Sequence, residues 1–262
     1  MKLEIYQVDA FTNRLFGGNP AAVVPLENWI DDELMQNLAM ENNLAETVFF
    51  VPNGNEFDIR WFTPVLEINL CGHATLASAF VLYQFKGYNK PKLTFNSKSG
   101  KLVVEKKENN FRMDFPSWRP EKLNEYHPGL QDALGVNEIV AVYKYRDLLV
   151  ELNAEEEVKK VQPDFTALKK IGEKVIITAP GKEVDFVSRF FAPASGIDED
   201  PVTGSAHCVL ASHWRERTGK SEFRAYQASR RGGSIGVRIE GRRVLLTGRA
   251  VLVVEGQLLA GH

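Results

Sequence analysis

Hydrophobic and polar positions along the first half of the chain alternate in short runs that are typical of strands. Strands are predicted at residues 3–8, 21–25, 47–51, 57–62, 92–97, 100–107 and 110–115. The period changes to a helical one between Asp31 and about Asn42, where two acidic residues open the run. A second helix is predicted from His73 to about Gln84, and because nearly every residue in it is apolar or small, we expect it to be buried on most sides.

The second half repeats this organisation. Helical runs are predicted at 129–134 and 165–171 and an apolar helix at 206–218, with strands at 138–143, 147–152, 174–178, 184–190, 222–229, 234–240, 243–247 and 249–255. Prolines after residue 115 interrupt the pattern and suggest a boundary near residue 118, which gives domains 1–118 and 119–262. Packing of the last strand with the first domain is left open as an alternative. Strands do not alternate regularly with helices, so the predicted class is α+β.

Two short segments look like copies of each other, LCGHATLASA (70–79) and DEDPVTGSAHCVLA (198–211). When Gly72 is aligned with Gly204, two alanines of each segment also coincide. In both, a glycine and a small polar residue lead into an apolar helix, which places free backbone N–H groups at a helix N-terminus suited to an anion. The two segments, about 130 residues apart, predict a duplicated architecture with one anionic ligand between its halves.

The composition is that of an ordinary globular protein, with 44% hydrophobic and 25% charged residues and a formal net charge of −2. This charge gives no reason to expect nucleic acid or an anionic membrane as a partner. Cys71 and Cys208 are the two cysteines and offer no disulfide framework, and no apolar run of signal-peptide or membrane-span type is present, so a cytoplasmic location is predicted.

One compositional shift separates the C-terminal part of the chain. Up to residue 187 there are 16 Lys and 5 Arg, and beyond it 1 Lys and 10 Arg. The simpler interpretation is drift in surface composition. The functional one is an arginine-lined face near the run Arg230-Arg231-Gly232-Gly233.

Several polar residues could carry chemistry. Glu46 lies between a helix and an aromatic-rich strand, where apolar neighbours suit a general acid/base near neutral pH, although the simpler interpretation of the local sequence is a solvated turn residue. His73 begins the first apolar helix and could simply be a hydrogen-bonded histidine. Asp200 precedes a proline and could be a turn residue, and Ser205 could cap the second helix or bind a ligand.

Cys71 suggests a different chemistry, because a thiol at a helix N-terminus can have a lowered pKa. A two-thiol racemase would need a matching cysteine in the second segment, where Thr203 aligns with Cys71 and Cys208 lies a full turn inside the helix. His207 and His213 are six residues apart, so no cluster has metal-ligand spacing, and no nucleotide-binding glycine pattern follows a strand.

Four ordered motifs together resemble the phenazine-biosynthesis PhzF-like isomerase family. They are FTNRLFGGNPAAVV (11–24), NLAETVFF (43–50), RWFTPxxExxLCGHATLA (60–77) and DEDPVTGSAH (198–207). The resemblance implies the fold of diaminopimelate epimerase, in which two pseudo-symmetric halves are each a mainly antiparallel β-barrel around a central helix, with the site in the cleft between them. It also implies a homodimer.

The resemblance also implies roles for individual residues. Glu46 matches the family's catalytic proton donor and acceptor. The family's polar site residues are matched by His73, Asp200 and Ser205. The backbone that holds a substrate carboxylate is matched by Gly72 and Gly204. The implied function is a cofactor-independent isomerase that moves a proton within a small carboxylated substrate, with no metal. Two alternatives remain open: an amino-acid epimerase or racemase, and a catalytically silent relative that acts by binding.

Overall fold

The computed structural model describes residues 1–259, and the chain divides into two compact units. The first unit comprises Met1–Asp114 together with the chain from Thr247, and the second comprises Phe115–Leu246. Among the described residues, no helix is long and apolar enough to cross a membrane.

The first unit contains nine strands and two helices in the order in which the chain forms them. They are β1 (Lys2–Ala10), β2 (Asn19–Pro25), α1 (Asp32–Asn42), β3 (Glu46–Asn53), β4 (Glu56–Phe62), β5 (Glu67–Ile68), α2 (Gly72–Phe85), β6 (Lys92–Ser97), β7 (Gly100–Lys107), β8 (Asn110–Pro116), which runs to the border of the unit, and the final strand of the chain, β18 (Ala250–Leu259). Strand β18 pairs antiparallel with β1 over its full length, so the last strand belongs with the first unit.

The second unit contains the remaining strands and helices. They are β9 (Glu121–Lys122), α3 (Leu130–Leu134), β10 (Ala141–Lys144), β11 (Leu148–Glu151), α4 (Glu155–Lys160), α5 (Phe165–Ile171), β12 (Val175–Pro180), β13 (Phe186–Ala192), a 3₁₀ turn (Pro193–Ser195), β14 (Ile197–Glu199), α6 (Gly204–Thr218), β15 (Glu222–Gln227), β16 (Gly233–Glu240) and β17 (Arg243–Gly248).

The strands of the two units pair in the same order. In the first unit β1–β2 is antiparallel, β2–β3 parallel, β3–β4 antiparallel, β4–β6 parallel and β6–β7 antiparallel. In the second unit the same alternation runs through β10–β11, β11–β12, β12–β13, β13–β15 and β15–β16. A very short strand, β5 or β14, precedes the apolar helix in each unit. The predicted duplication and the α+β class are therefore confirmed.

Each unit is built around one helix of the pair α2 and α6. Ten of the fourteen residues of α2 and ten of the fifteen of α6 are buried. An apolar helix without a polar face must be covered on most sides, and strands supply that cover. Alanine and serine at many positions of α2 allow the surrounding strands to approach closely, because short side chains leave room for the sheet.

The predicted strands and long helices agree with the structure to within a few residues. The short elements were not predicted: α4, the 3₁₀ turn and the two-residue or three-residue strands. Helix α4 has the sequence EEEVKK and buries one apolar residue, Val158, so it lacks the repeated apolar positions from which a helix is recognised.

Candidate active site

Glu46 is the first residue of β3 and is buried, with 7% of its surface exposed. Strand β3 runs parallel to β2, and Glu46 lies in register with Ala21. Just before it the chain leaves α1, and the side-chain amide of Asn42 donates to the hydroxyl of Thr47 at 3.1 Å, which fixes the start of the strand. The carboxyl group of Glu46 is therefore held by a rigid strand rather than by a mobile turn.

His73 is the second residue of α2 and is 5% exposed. Its Nε2 lies 2.9 Å from Oε2 of Glu46, so the helix N-terminus and the start of β3 bring the two side chains into direct contact. Among residues 1–259, no group makes a well-aligned hydrogen bond to this buried Oε2. The contact is an ion pair that leaves a lone pair of the carboxylate available to accept a proton.

Asn19, the first residue of β2, completes this cluster and was not predicted. Its Nδ2 lies 3.1 Å from His73 Nδ1. An amide offers a donor on one side and an acceptor on the other, so Asn19 can pair with this nitrogen whether or not it carries a proton. The available signal was a polar residue shortly before the apolar strand predicted at 21–25.

The loop before Asn19 is fixed by its backbone. Gly18 has φ of +63°, and a Cβ atom there would lie 2.1 Å from the carbonyl oxygen of Ala10, so only glycine fits. The backbone N–H of Phe16 donates to the buried carboxylate of Asp9 at 2.9 Å. The glycine-rich motif therefore serves to hold Asn19 against His73.

The charges in this cluster determine its protonation. Burial lowers the pKa of His73, but the neighbouring Cys71 and Glu46 outweigh burial, and the pKa lies well above its ordinary value. Burial raises the pKa of the Cys71 thiol to about 11, although its helix position would favour the thiolate. The expectation of a lowered thiol pKa was therefore wrong. Since the thiol is uncharged at neutral pH, the Glu46 carboxylate, 2.9 Å from His73 Nε2, is the charged neighbour that favours the imidazolium there.

The same cluster contains three side chains of types that bind metals. One ligand atom each of Glu46, Cys71 and His73 lie within 4.8 Å of one another. This group was not predicted, because the fold, and not the sequence spacing, brings Glu46 to the other two residues. Binding of a zinc ion would require the Cys71 thiol to lose its proton.

In the second unit, a network of hydrogen bonds fixes the turn that leads into α6. The hydroxyl of Thr203 donates to the carboxylate of Asp200. The buried side chain of Gln227, on β15, accepts from the backbone N–H of Thr203 at 2.9 Å and donates to the carbonyl oxygen of Asp200 at 2.7 Å. Gln227 was not predicted, and nothing in its local sequence marks it.

Ser205, the second residue of α6, has a cationic neighbour. Nη2 of Arg146 lies 2.9 Å from the Ser205 hydroxyl oxygen and donates to it. The guanidinium of Arg146 is fixed by the adjacent buried carboxylate of Asp147, at 2.8 Å, and lies 5.0 Å from the centre of the Trp118 ring. Arg146 was not predicted, because it lies 59 residues from Ser205 in the sequence.

The predicted site residues thus fall into two groups. Gly72 and Gly204 are the first residues of α2 and α6. Glu46 and His73 are in contact in the first unit. Asp200 and Ser205 flank Thr203 in the second unit, each hydrogen-bonded to a neighbour. The expectation that one anion lies between the two glycine turns stays a prediction.

Comparisons with known proteins assign the family. The model of the phenazine biosynthesis-like proteins, PhzC-PhzF, matches residues 8–256. A Pseudomonas aeruginosa protein named an uncharacterized isomerase is 48% identical over 98% of this chain and 99% of its own length. The crystal structure of a PhzF family protein from Enterococcus faecalis has a TM-score of 0.96 with 46% identity, covering 99% of this chain and 100% of that one. The chain belongs to the PhzC-PhzF family.

The fold extends to more distant proteins. A hydroxyproline epimerase from Agrobacterium vitis superposes with a TM-score of 0.63 at 9% identity, over 98% of this chain and 92% of that one. At this identity the likeness concerns the fold alone. It agrees with the predicted epimerase-like architecture.

Proposed function

We propose that this protein is an isomerase that moves a proton within a small carboxylated substrate and that Glu46 is the acid/base. The observation that carries the proposal is the buried Oε2 of Glu46, which lies 2.9 Å from His73 Nε2 and accepts no aligned hydrogen bond from residues 1–259. The names of the curated relatives, which include several uncharacterized isomerases, support the reaction class.

The pair of Glu46 and His73 suits proton transfer in both directions. An imidazolium at 2.9 Å stabilises the carboxylate, which then removes a proton from the substrate. Once Glu46 holds the proton, it can return the proton to another carbon of the same molecule. Each step uses groups of the chain and the substrate, so the proposed chemistry needs no cofactor.

The N-termini of α2 and α6 are suited to the substrate carboxylate. Helices α1 and α5 are capped by Asp31 and Asp164, whose side chains accept from backbone N–H groups. Within the described residues, no side chain caps α2 or α6, and neither has an acidic residue in its first turn. Backbone donors at Gly72 and Gly204 thus need another acceptor, and a carboxylate complements the helix dipole.

We assign positioning roles to the polar residues of the second unit. Asp200 holds Thr203 and so fixes the first turn of α6. Ser205 accepts from Arg146, which leaves its hydroxyl proton free to be donated to a substrate oxygen. These two residues orient the substrate, and the proton moves through Glu46.

The thiols support one-carboxylate chemistry over a two-thiol epimerase. The pKa of Cys71 is raised to about 11 by burial, so the thiolate needed as a base is scarce at neutral pH. Thr203 occupies the corresponding N-cap position of α6. Burial also raises the pKa of Cys208 to about 12, and its Sγ lies 3.7 Å from the carbonyl oxygen of Gly204 inside the helix.

The test is incorporation of solvent deuterium. Small unsaturated and cyclic carboxylates are first screened by thermal shift, where a compound at 100 times its Kd stabilises the fold by about 2.7 kcal/mol. Each hit is then incubated with the protein in deuterated water and followed by proton NMR. Glu46→Gln should lower the rate of deuterium incorporation and isomerisation by about 10²–10⁴-fold without loss of binding.

The matched control is Glu41→Gln, which removes an exposed carboxylate from the same unit and should leave the rate unchanged. A chelator should also leave it unchanged, because the proposed chemistry requires no metal. Full activity of Glu46→Gln would exclude Glu46 as the acid/base. Hits that bind tightly but never exchange or isomerise would favour the silent binding protein instead.

A further inference from the structure

The second unit contains a groove of about 610 Å³ that shares no lining residue with the site described above. It lies between the end of α4, strands β13 and β14, and the end of β15 with the loop that follows it. The lining residues are Lys159, Lys160, Val161, Gln162, Arg189, Glu199, Tyr226, Ala228, Ser229 and Arg230. The volume lies in the range of small-molecule sites, about 300–1,000 Å³.

The lining carries four cations and one carboxylate, and the carboxylate is fully engaged. Nε and Nη2 of Arg189 donate to the two oxygens of Glu199 at 2.7 and 2.9 Å. Nη1 of Arg189 donates to the carbonyl oxygen of Val161 at 2.6 Å, so this guanidinium is fixed from both sides. Lys159 pairs with Glu155, outside the lining. These contacts neutralise two of the four positive charges.

The two remaining cations, Lys160 and Arg230, make no ion pair with any residue in the range 1–259. They approach the groove from different elements, the end of α4 and the loop after β15. Two unpaired cations in the lining of one groove create a positive potential, which a bound anion would relieve.

The loop that carries Arg230 is shaped by Gly232. This glycine has φ of +65°, and a Cβ atom there would lie 2.0 Å from the hydroxyl oxygen of Tyr226. The positive φ favours glycine, and any larger residue here would displace the Tyr226 side chain from its present position. The Ser229 hydroxyl donates to the carbonyl oxygen of Pro201 at 2.8 Å and anchors the other end of the loop. These contacts fix the two ends of the loop, and Arg230 lies between them in the lining of the groove.

We propose that this groove binds a small molecule with a compact anionic group of charge −2 or more, held between Lys160 and Arg230. The charge requirement follows from the two unpaired cations, and the size limit from the groove volume. Tyr226 and Gln162 offer an aromatic edge and an amide to the uncharged part of the ligand. This inference does not rest on the proposed isomerase activity.

Isothermal titration calorimetry of the full chain with pyrophosphate, citrate and phosphate tests the proposal. Binding should weaken as salt concentration rises. The double variant Lys160→Glu/Arg230→Glu should lose about tenfold or more in affinity for each anion that binds, because both charges of the site are reversed. Tighter binding of the two phosphates than of citrate identifies a phosphate group, and the opposite order identifies a polycarboxylate.

The matched control is Lys169→Glu/Lys170→Glu on α5, which makes the same change of net charge in the same unit outside the lining. It should keep the affinity of the unaltered chain. The truncations Lys160→Ala/Arg230→Ala should weaken binding less than the charge reversal and serve if the reversal fails to fold. Absence of binding by the unaltered chain, or equal loss in the two reversed variants, would overturn the proposal.

Discussion

The two units of the molecule share a backbone and differ in the side chains that this backbone carries. Both follow the same sequence of parallel and antiparallel strand pairs, and in both a very short strand leads into a buried, uncapped helix that begins with glycine. After that glycine the first unit has His73 and the second has Ser205. The start of α2 thus carries the titratable pair of His73 and Glu46, whereas the start of α6 follows the hydrogen-bonded turn at Thr203.

The strand starts differ in the same way. Glu46 begins β3, whereas Val175 begins β12, the strand at the corresponding place in the second unit. The second unit therefore has no carboxylate where the first has its acid/base. The repeated helix start suits a task that both units can perform, the binding of a carboxylate, while the proposed proton transfer depends on residues of one unit.

The buried histidines show the contrast most directly. His73 has a carboxylate at 2.9 Å and a raised pKa. His207 and His213 lie inside α6, and burial lowers the pKa of each to about 4. The Thr203 carbonyl oxygen accepts from Nδ1 of His207 at 2.8 Å without compensating for burial. The buried histidine of the first unit thus keeps its proton, whereas the two buried histidines of the second unit are neutral.

The largest expected effect comes from substituting the residue that follows the first glycine of α2 or of α6. His73→Asn should lower turnover by about 10²–10⁴-fold, because it removes the charge that supports Glu46. Ser205→Ala should raise KM about tenfold or less and leave kcat nearly unchanged, since one hydrogen bond contributes about 0.5–1.5 kcal/mol. Steady-state kinetics on a substrate from the deuterium screen measures both. Equal effects on kcat would mean that the two helix starts share the chemistry.

The second effect is a loss of stability in acid that originates in the second unit. The unfolded chain protonates His207 and His213 near 6.5, whereas the folded chain keeps both neutral down to about pH 4. Each histidine therefore contributes about 3 kcal/mol to the free energy of unfolding above pH 6.5. This contribution is lost as the pH falls towards 4. Urea unfolding between pH 7 and pH 4.5 should show this decline.

His213 provides a way to separate these contributions. Its environment includes Arg217, which lowers the pKa further, and Glu151, whose Oε2 lies 3.5 Å from Nε2. His213→Asn should reduce by about half the decrease in unfolding free energy between pH 7 and pH 4.5, because one of the two titrating groups is removed. Unfolding free energies that do not vary over this pH interval would contradict the neutral state of both imidazoles.

The first unit should show the opposite pH dependence. The folded chain holds the proton of His73 more tightly than the unfolded chain, because its pKa is raised above 6.5. The resulting stabilisation is complete below pH 6.5 and is lost as the pH rises towards the folded pKa, at about 1.4 kcal/mol per pH unit. The measurement is the difference in urea stability between the unaltered chain and His73→Asn across alkaline pH. A difference that grows with pH would have the wrong sign.

The repeat and its core could be predicted from sequence because they depend on local patterns. The helices around Ala74 and Ala206 both begin with a glycine and continue with apolar or small residues, and these two glycines align, so the duplication is visible in the residues themselves. Short elements such as α4 were missed because one buried residue, Val158, does not establish a period.

The polar partners of the site could not be predicted in the same way. Asn19 meets His73 across 54 residues, and Arg146 meets Ser205 across 59. No local spacing encodes such contacts, which depend on strand register and on how a loop closes. The expectation of a lowered pKa for Cys71 failed for a related reason. The position of Cys71 at a helix start was visible in the sequence, but its burial, which raises the pKa by more than the helix lowers it, was not.

The smallest effect concerns the thiol at the N-cap of α2, where the second unit has Thr203. Because the pKa of Cys71 is about 11 and the side chain is 6% exposed, the thiol should act neither as base nor as nucleophile. Cys71→Ser should lower turnover by about threefold or less, because serine keeps a hydrogen-bonding atom beside His73 Nδ1 and the change removes no group that carries the transferred proton. A thiol reagent should leave Cys71 and Cys208 unmodified in the folded protein and label both in denaturant. Rapid labelling of Cys71 with loss of activity would restore the thiol mechanism and remove the distinction drawn between the two helix starts.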